Sequence, residues 1–76
     1  MKELVEFVAK SLVDHPDEVH LRTYDRADQT TIELEVAQED LGKIIGRQGR
    51  TARAIRTLLN AASQKSRRRF SLDILD

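Results

Sequence analysis

The sequence predicts an α+β fold in the order helix, strand, strand, helix, helix, strand, with a three-stranded mixed sheet and three helices on one face. Three observations carry that prediction. Apolar residues recur at helical spacing in three segments, they alternate with polar residues in three others, and a pair of helices stands between the second and third strands.

Residues 2–13 place Leu4, Val5, Val8 and Leu12 at helical spacing, with Lys2, Glu3, Glu6 and Lys10 elsewhere, and His15-Pro16 stops that helix. From Glu18 to Asp25 the chain alternates, Val19, Leu21 and Thr23 on one face and His20, Arg22 and Tyr24 on the other, as a half-buried strand does. Asp25-Arg26-Ala27-Asp28 reads as a polar turn. Thr31 to Val36 alternates again, Ile32, Leu34 and Val36 inward and Thr31, Glu33 and Glu35 outward, so the pair forms an antiparallel hairpin. Gln38-Glu39-Asp40 opens a short helix whose acids suit its positive dipole end and whose Leu41, Ile44 and Ile45 share a face. It stops at Gly46. The next helix runs from Arg50 to about Lys65 with an apolar stripe of Ile55, Leu58, Leu59 and Ala62, and Arg67 to Leu75 alternates as the last strand, Phe70, Leu72 and Ile74 sharing a face. Two helices between strands make a crossover, which leaves the joined strands parallel where they pair.

Residues 1–76 form one domain, since a chain of this size buries only about 60% of its unfolded surface and has room for one core. Without cysteine it has no disulfide staple and no thiolate metal cage, which fits a reducing compartment and makes self-association a plausible aid to stability. Neither a leader pattern nor a long apolar run is present, so a soluble, cytoplasmic protein without a membrane partner is expected. No Ser/His/Asp set, cysteine nucleophile or Walker pattern occurs, and His15 and His20 have no partner at ligand spacing. An enzyme is therefore not expected, nor a cofactor, a metal or a small-molecule substrate.

The formal net charge is zero, but its distribution is lopsided. Residues 1–40 carry four cations against eleven acids, and residues 41–76 carry nine cations against Asp73 and Asp76. The basic half is either a footprint for phosphates or ordinary solvated surface, and the acidic half limits indiscriminate binding.

The stretch from Leu41 to Ile55 carries the chemistry. Gly46 and Gly49 frame a turn between two helices, and glycine tolerates positive φ and close backbone approach. The following helix aims its free N–H groups and positive dipole end at the loop. Arg47 stands at the tip, with Lys43, Arg50 and Arg53 around it at helical spacing. Two glycines alone are weak evidence, because glycine often simply ends a helix.

In this context, however, Ile44-Ile45-Gly46-Arg47-Gln48-Gly49, with Ile55 as the trailing aliphatic residue, resembles the signature of KH domains. The element order is similar to the type II, bacterial arrangement. The resemblance covers essentially the whole chain and is strongest to the small bacterial single-KH proteins of the KhpA family. It implies single-stranded RNA binding, the loop gripping the backbone of about four nucleotides while an apolar groove receives bases. By position, Gly46, Arg47, Gln48 and Gly49 become the clamp and Ile45 a groove residue; Lys43, Arg50 and Arg53 are added from charge and spacing. The resemblance further implies an RNA chaperone acting as a homodimer or with a larger KH protein, KhpB, and ties to post-transcriptional control, cell length and peptidoglycan homeostasis.

Blander roles compete for several residues. Ile44, Ile45 and Ile55 are expected mainly in the core, one of them also lining the groove. Phe7, Tyr24 and Phe70 are dispersed, which argues against a stacking platform. Arg67-Arg68-Arg69 is either a second phosphate contact or a solvated strand start in which Arg68 points away from its neighbours. Glu33 and Glu35 are expected on the solvent side of the sheet, away from RNA. The main alternative function is a dimerisation subunit with little RNA binding of its own; a DNA-binding helix-turn-helix is disfavoured by the three strands.

Overall fold

The computed structural model describes residues 1–76. Helix α1 spans Lys2–Leu12, β1 His20–Arg26, β2 Gln29–Glu35, α2 Leu41–Ile45, α3 Arg50–Ser66 and β3 Arg69–Ile74, with single 3₁₀ turns at Pro16–Glu18, Gln38–Asp40 and Arg47–Gly49. The predicted order is therefore observed.

The sheet order is β1-β2-β3, so β2 is central. It pairs antiparallel with β1, His20 opposite Glu35 and Arg26 opposite Gln29. It pairs parallel with β3, Gln29 opposite Arg69 and Leu34 opposite Ile74, as a two-helix crossover requires. One apolar cluster joins the helices to one face of the sheet: Val5 and Ala9 of α1, Ile32 and Leu34 of β2, Ile44 of α2, Ile55 and Leu59 of α3 and Leu72 of β3, with Val19 ahead of β1. Glu35 and Asp73 lie exposed on the other face and Glu33 is half-buried there, which keeps these acids away from the helices.

Two readings of the sequence need correction, and one aspartate has a further role that its position does not suggest. The apolar stripe of α3 is narrower than its periodicity suggested: Ala52, Ile55 and Leu59 are buried, while Leu58 is 51% exposed because the sheet covers only one flank of the helix. Asp40 stands at the N-cap of α2, but its side chain makes no cap bond; it is fully buried and accepts the backbone N–H groups of Asp14 and His15 at 3.2 and 3.0 Å. The last strand begins at Arg69, not Arg67, so the triple arginine does not alternate across a sheet. Arg67 caps α3 in the left-handed conformation, φ 59°, and Arg68 sits in the turn.

Arg68 reaches back to the β1–β2 hairpin. It donates to the carbonyls of Ala27 and Gln29, both at 3.2 Å, to the Thr30 hydroxyl, and to the Asp25 carboxylate at 3.2 Å. The Thr30 hydroxyl, helped by Arg68, holds the Asp25 carboxyl below its usual range. This arginine is a clasp on a tight turn whose Ala27 has a positive φ of 52°.

Candidate nucleic-acid interface

Helix α2 is only five residues long and ends because Gly46 adopts φ 77°, a conformation that breaks the helical path. Gly46 donates to the Gly42 carbonyl at 2.8 Å, and Gly49 donates back to the Gly46 carbonyl at 3.0 Å, which closes the loop on itself. A Cβ on Gly46 would lie 2.7 Å from both the backbone nitrogen and the Cβ of Thr51, so this glycine is demanded by packing as well as by its torsion angle. Gly49 has a left-handed φ of 74° with open space around it. Gln48 is left-handed too, at φ 57°, and the side chains of Arg47 and Gln48 both reach solvent.

No side chain caps α3, so its first turn is held by backbone alone at the loop. Arg47, Arg50 and Arg53 are exposed, and none of them takes part in an ion pair. Their charges are free to act on an external anion.

Lys43 differs. Its ammonium pairs with Asp14 and, at 3.4 Å, with Asp40. The hydrogen bond to Asp14 raises its pKa against the opposing effect of desolvation, with Asp40 assisting. Burial pushes the Asp40 carboxyl up, but the N–H donors of Asp14 and His15 and the Lys43 ammonium outweigh it and leave the group below its usual value. Lys43 is thus engaged in joining α2 to the end of α1, and the structure does not bring it to the cavity beside the loop.

That cavity has a volume of about 540 Å³, within the range of ligand sites. Ile45, Ala52 and Ile74 supply its apolar lining, and Gly49, Arg53, Arg56 and Asp76 complete it. Ile45 is the one isoleucine of the three that opens to it; Ile44 and Ile55 are 0% and 4% exposed and belong to the core. Arg56 donates to the Leu72 carbonyl of β3 at 3.3 Å, fixing its head at the wall of the cavity. Sequence reasoning passed over Ala52, Arg56, Ile74 and Asp76. The first two could have been found, since Gly49, Ala52, Arg53 and Arg56 share a helical flank at spacings of three, four and seven. Ile74 needed the knowledge that β3 is an edge strand beside α3.

The chain matches the KhpA/KhpB KH-domain family over residues 2–74. It is 58% identical to the RNA-binding protein KhpA of Borreliella burgdorferi over 97% of this chain and 90% of that protein. It is 51% identical to the RNA-binding protein KhpA of Halalkalibacterium halodurans over the full length of both. The RNA-binding protein KhpA of Clostridium perfringens is 48% identical over 99% of this chain and all of that one. No solved structure matches the chain. That family consists of KH domains and is not a class of enzymes. The helix–glycine loop–helix unit, set against the edge of a mixed sheet, accordingly belongs to a member of the KhpA/KhpB KH-domain family.

Proposed function

We propose that the chain binds single-stranded RNA, gripping the backbone at Gly46-Arg47-Gln48-Gly49 and receiving bases in the neighbouring cavity. The observation that carries this is continuity: Gly49 belongs both to the loop and to the cavity wall, and the arginines around them are unpaired. The names of its relatives, RNA-binding proteins all, point the same way. Arg47, Arg50 and Arg53 draw the phosphates in, the uncapped start of α3 adds its dipole, and Ile45, Ala52 and Ile74 offer an apolar surface to the bases.

No aromatic side chain lines the cavity, so stacking of about 1–3 kcal/mol per base is missing and one copy binds weakly. Pairing with a second copy, or with a larger KH protein of the KhpB kind, restores affinity through avidity when both sites engage together. Work as an RNA chaperone in the cytoplasm, in post-transcriptional control of cell length and peptidoglycan homeostasis, is what family membership suggests for such a pair. A second reading, a dimerisation subunit with little RNA binding of its own, draws on the apolar side chains left exposed on α1 and α3, Phe7 at 70% and Leu58 at 51%.

The test is binding of a mixed-sequence single-stranded RNA over a salt series, beside the double variant Arg47→Asp and Gln48→Asp, with folding of both checked by thermal melt. The expected outcome is a log–log slope near −0.7 per phosphate neutralised for the wild type and no binding by the folded variant. Equal binding by both, or none by either, rejects the clamp and favours the dimerisation subunit.

A further inference from the structure

The cavity beside the loop mixes polar groups that do not neutralise one another. Arg53 and Arg56 line it from α3 and Asp76 from beyond the end of β3. None of the three is in an ion pair. Arg56 uses one N–H on the Leu72 carbonyl and keeps four more donors. A carboxylate beside a phosphate track is a liability if phosphates are all that is bound, because it repels the very groups the arginines attract. It becomes an asset when a hydrogen-bond donor on a base faces it.

On the reading that this cavity receives an RNA base, we infer that the base is guanine, its acceptors taken by Arg53 or Arg56 and its donors by Asp76. A guanidinium only donates and a carboxylate only accepts, so the cavity asks for a base with both kinds of group, each in adjacent pairs. Guanine carries the N7 and O6 acceptors side by side and, on its Watson–Crick edge, the adjacent donors N1–H and N2–H. Cytosine and adenine each offer a carboxylate a single amino group with an acceptor nitrogen next to it. Uracil offers one N–H between two carbonyl oxygens, whose lone pairs face the carboxylate. The order of preference is guanine, then cytosine and adenine, then uracil. Ile45, Ala52 and Ile74 touch the base face and are indifferent to its identity.

The experiment is fluorescence anisotropy at one low salt concentration with otherwise identical short uridine-rich RNAs carrying guanine, inosine, cytosine, adenine or uracil at one central position. The guanine RNA is expected to bind about tenfold more tightly than the uracil RNA, with inosine, which lacks the N2 amino group, in between. Asp76 is exposed, so Asp76→Ala keeps the fold, and it is expected to bring the guanine and uracil RNAs within about twofold of each other. Binding of all five RNAs with equal affinity overturns the guanine inference and leaves RNA binding standing. A tenfold preference retained in Asp76→Ala overturns Asp76 as the reader, and failure of every RNA to bind the wild type removes the RNA reading and this inference together.

Discussion

Two groups of cations in the basic half look alike in sequence and differ in the fold. Arg47, Arg50 and Arg53 stand exposed around the loop with no acid near enough to pair. Lys43 and Arg68 are occupied, the first with Asp14 and Asp40 and the second with Asp25, Thr30 and two hairpin carbonyls. The difference teaches that charge density along a chain locates a basic region but not its available charge. All the acids that occupy Lys43 and Arg68 come from the acidic half: Asp14 and Asp25 are brought over by the packing of α1 and the β1–β2 hairpin, and Asp40 stands three residues before Lys43. Of the cations left unpaired in this half, Arg47, Arg50, Arg53 and Arg56 stand at or beside the loop, and Lys65, Arg67 and Arg69 stand around the far end of α3.

The sharpest way to probe this division is to disturb the loop's shape without touching its charge. Gly46→Ala is expected to cost about 2–4 kcal/mol, because its Cβ would collide with Thr51 in an already left-handed backbone, while Gly49→Ala, with open space, costs about 1–2 kcal/mol from its torsion angle alone. Chemical denaturation of the two variants measures both. Equal losses would mean that the contact with Thr51 is not what requires glycine.

The occupied cations can be tested from the acid side. Asp40→Ala leaves two backbone N–H groups and part of the Lys43 pairing without an acceptor and is expected to cost about 2–3 kcal/mol. Because the folded-state pKa of Asp40 is lowered, its contribution is fully present above the unfolded carboxylate value and is lost as pH falls through the folded one. Acid titration of stability should therefore be shallower in Asp40→Ala than in the wild type; parallel curves would sink this assignment.

Arg68→Ala is expected to cost about 1–2 kcal/mol, no more than Gly49→Ala, read as faster amide exchange across Ala27 to Thr30. If it also weakened RNA binding as much as Arg47→Asp, the separation between occupied and available cations would fail.

These distinctions mark where the sequence was legible. Periodicity located every helix and strand, since Val5, Ile32, Leu34, Ile44, Ile55, Leu59 and Leu72 repeat at spacings that one sheet face and its helices must bury together. The glycines announced the loop's turn, because positive φ is the residue's chief distinction. Asp40 was not legible: its partners stand 26 and 25 residues earlier, and nothing local marks an aspartate that will bind backbone across that distance. Arg68 was misread for the same reason, its acceptors being set by the β2–β3 register. Leu58 was misplaced because helical spacing reports a stripe but not how much of it a three-stranded sheet can cover.

Gly46 and its neighbours also divide labour in a way that bears on how such a loop could be retuned. Shape rests on Gly46, wedged against Thr51, whereas Arg47 and Gln48 project into solvent and hold nothing in place. On the proposed clamp reading, exchanging the two tip side chains would change the hold on a bound backbone while the frame that presents them stays as it is.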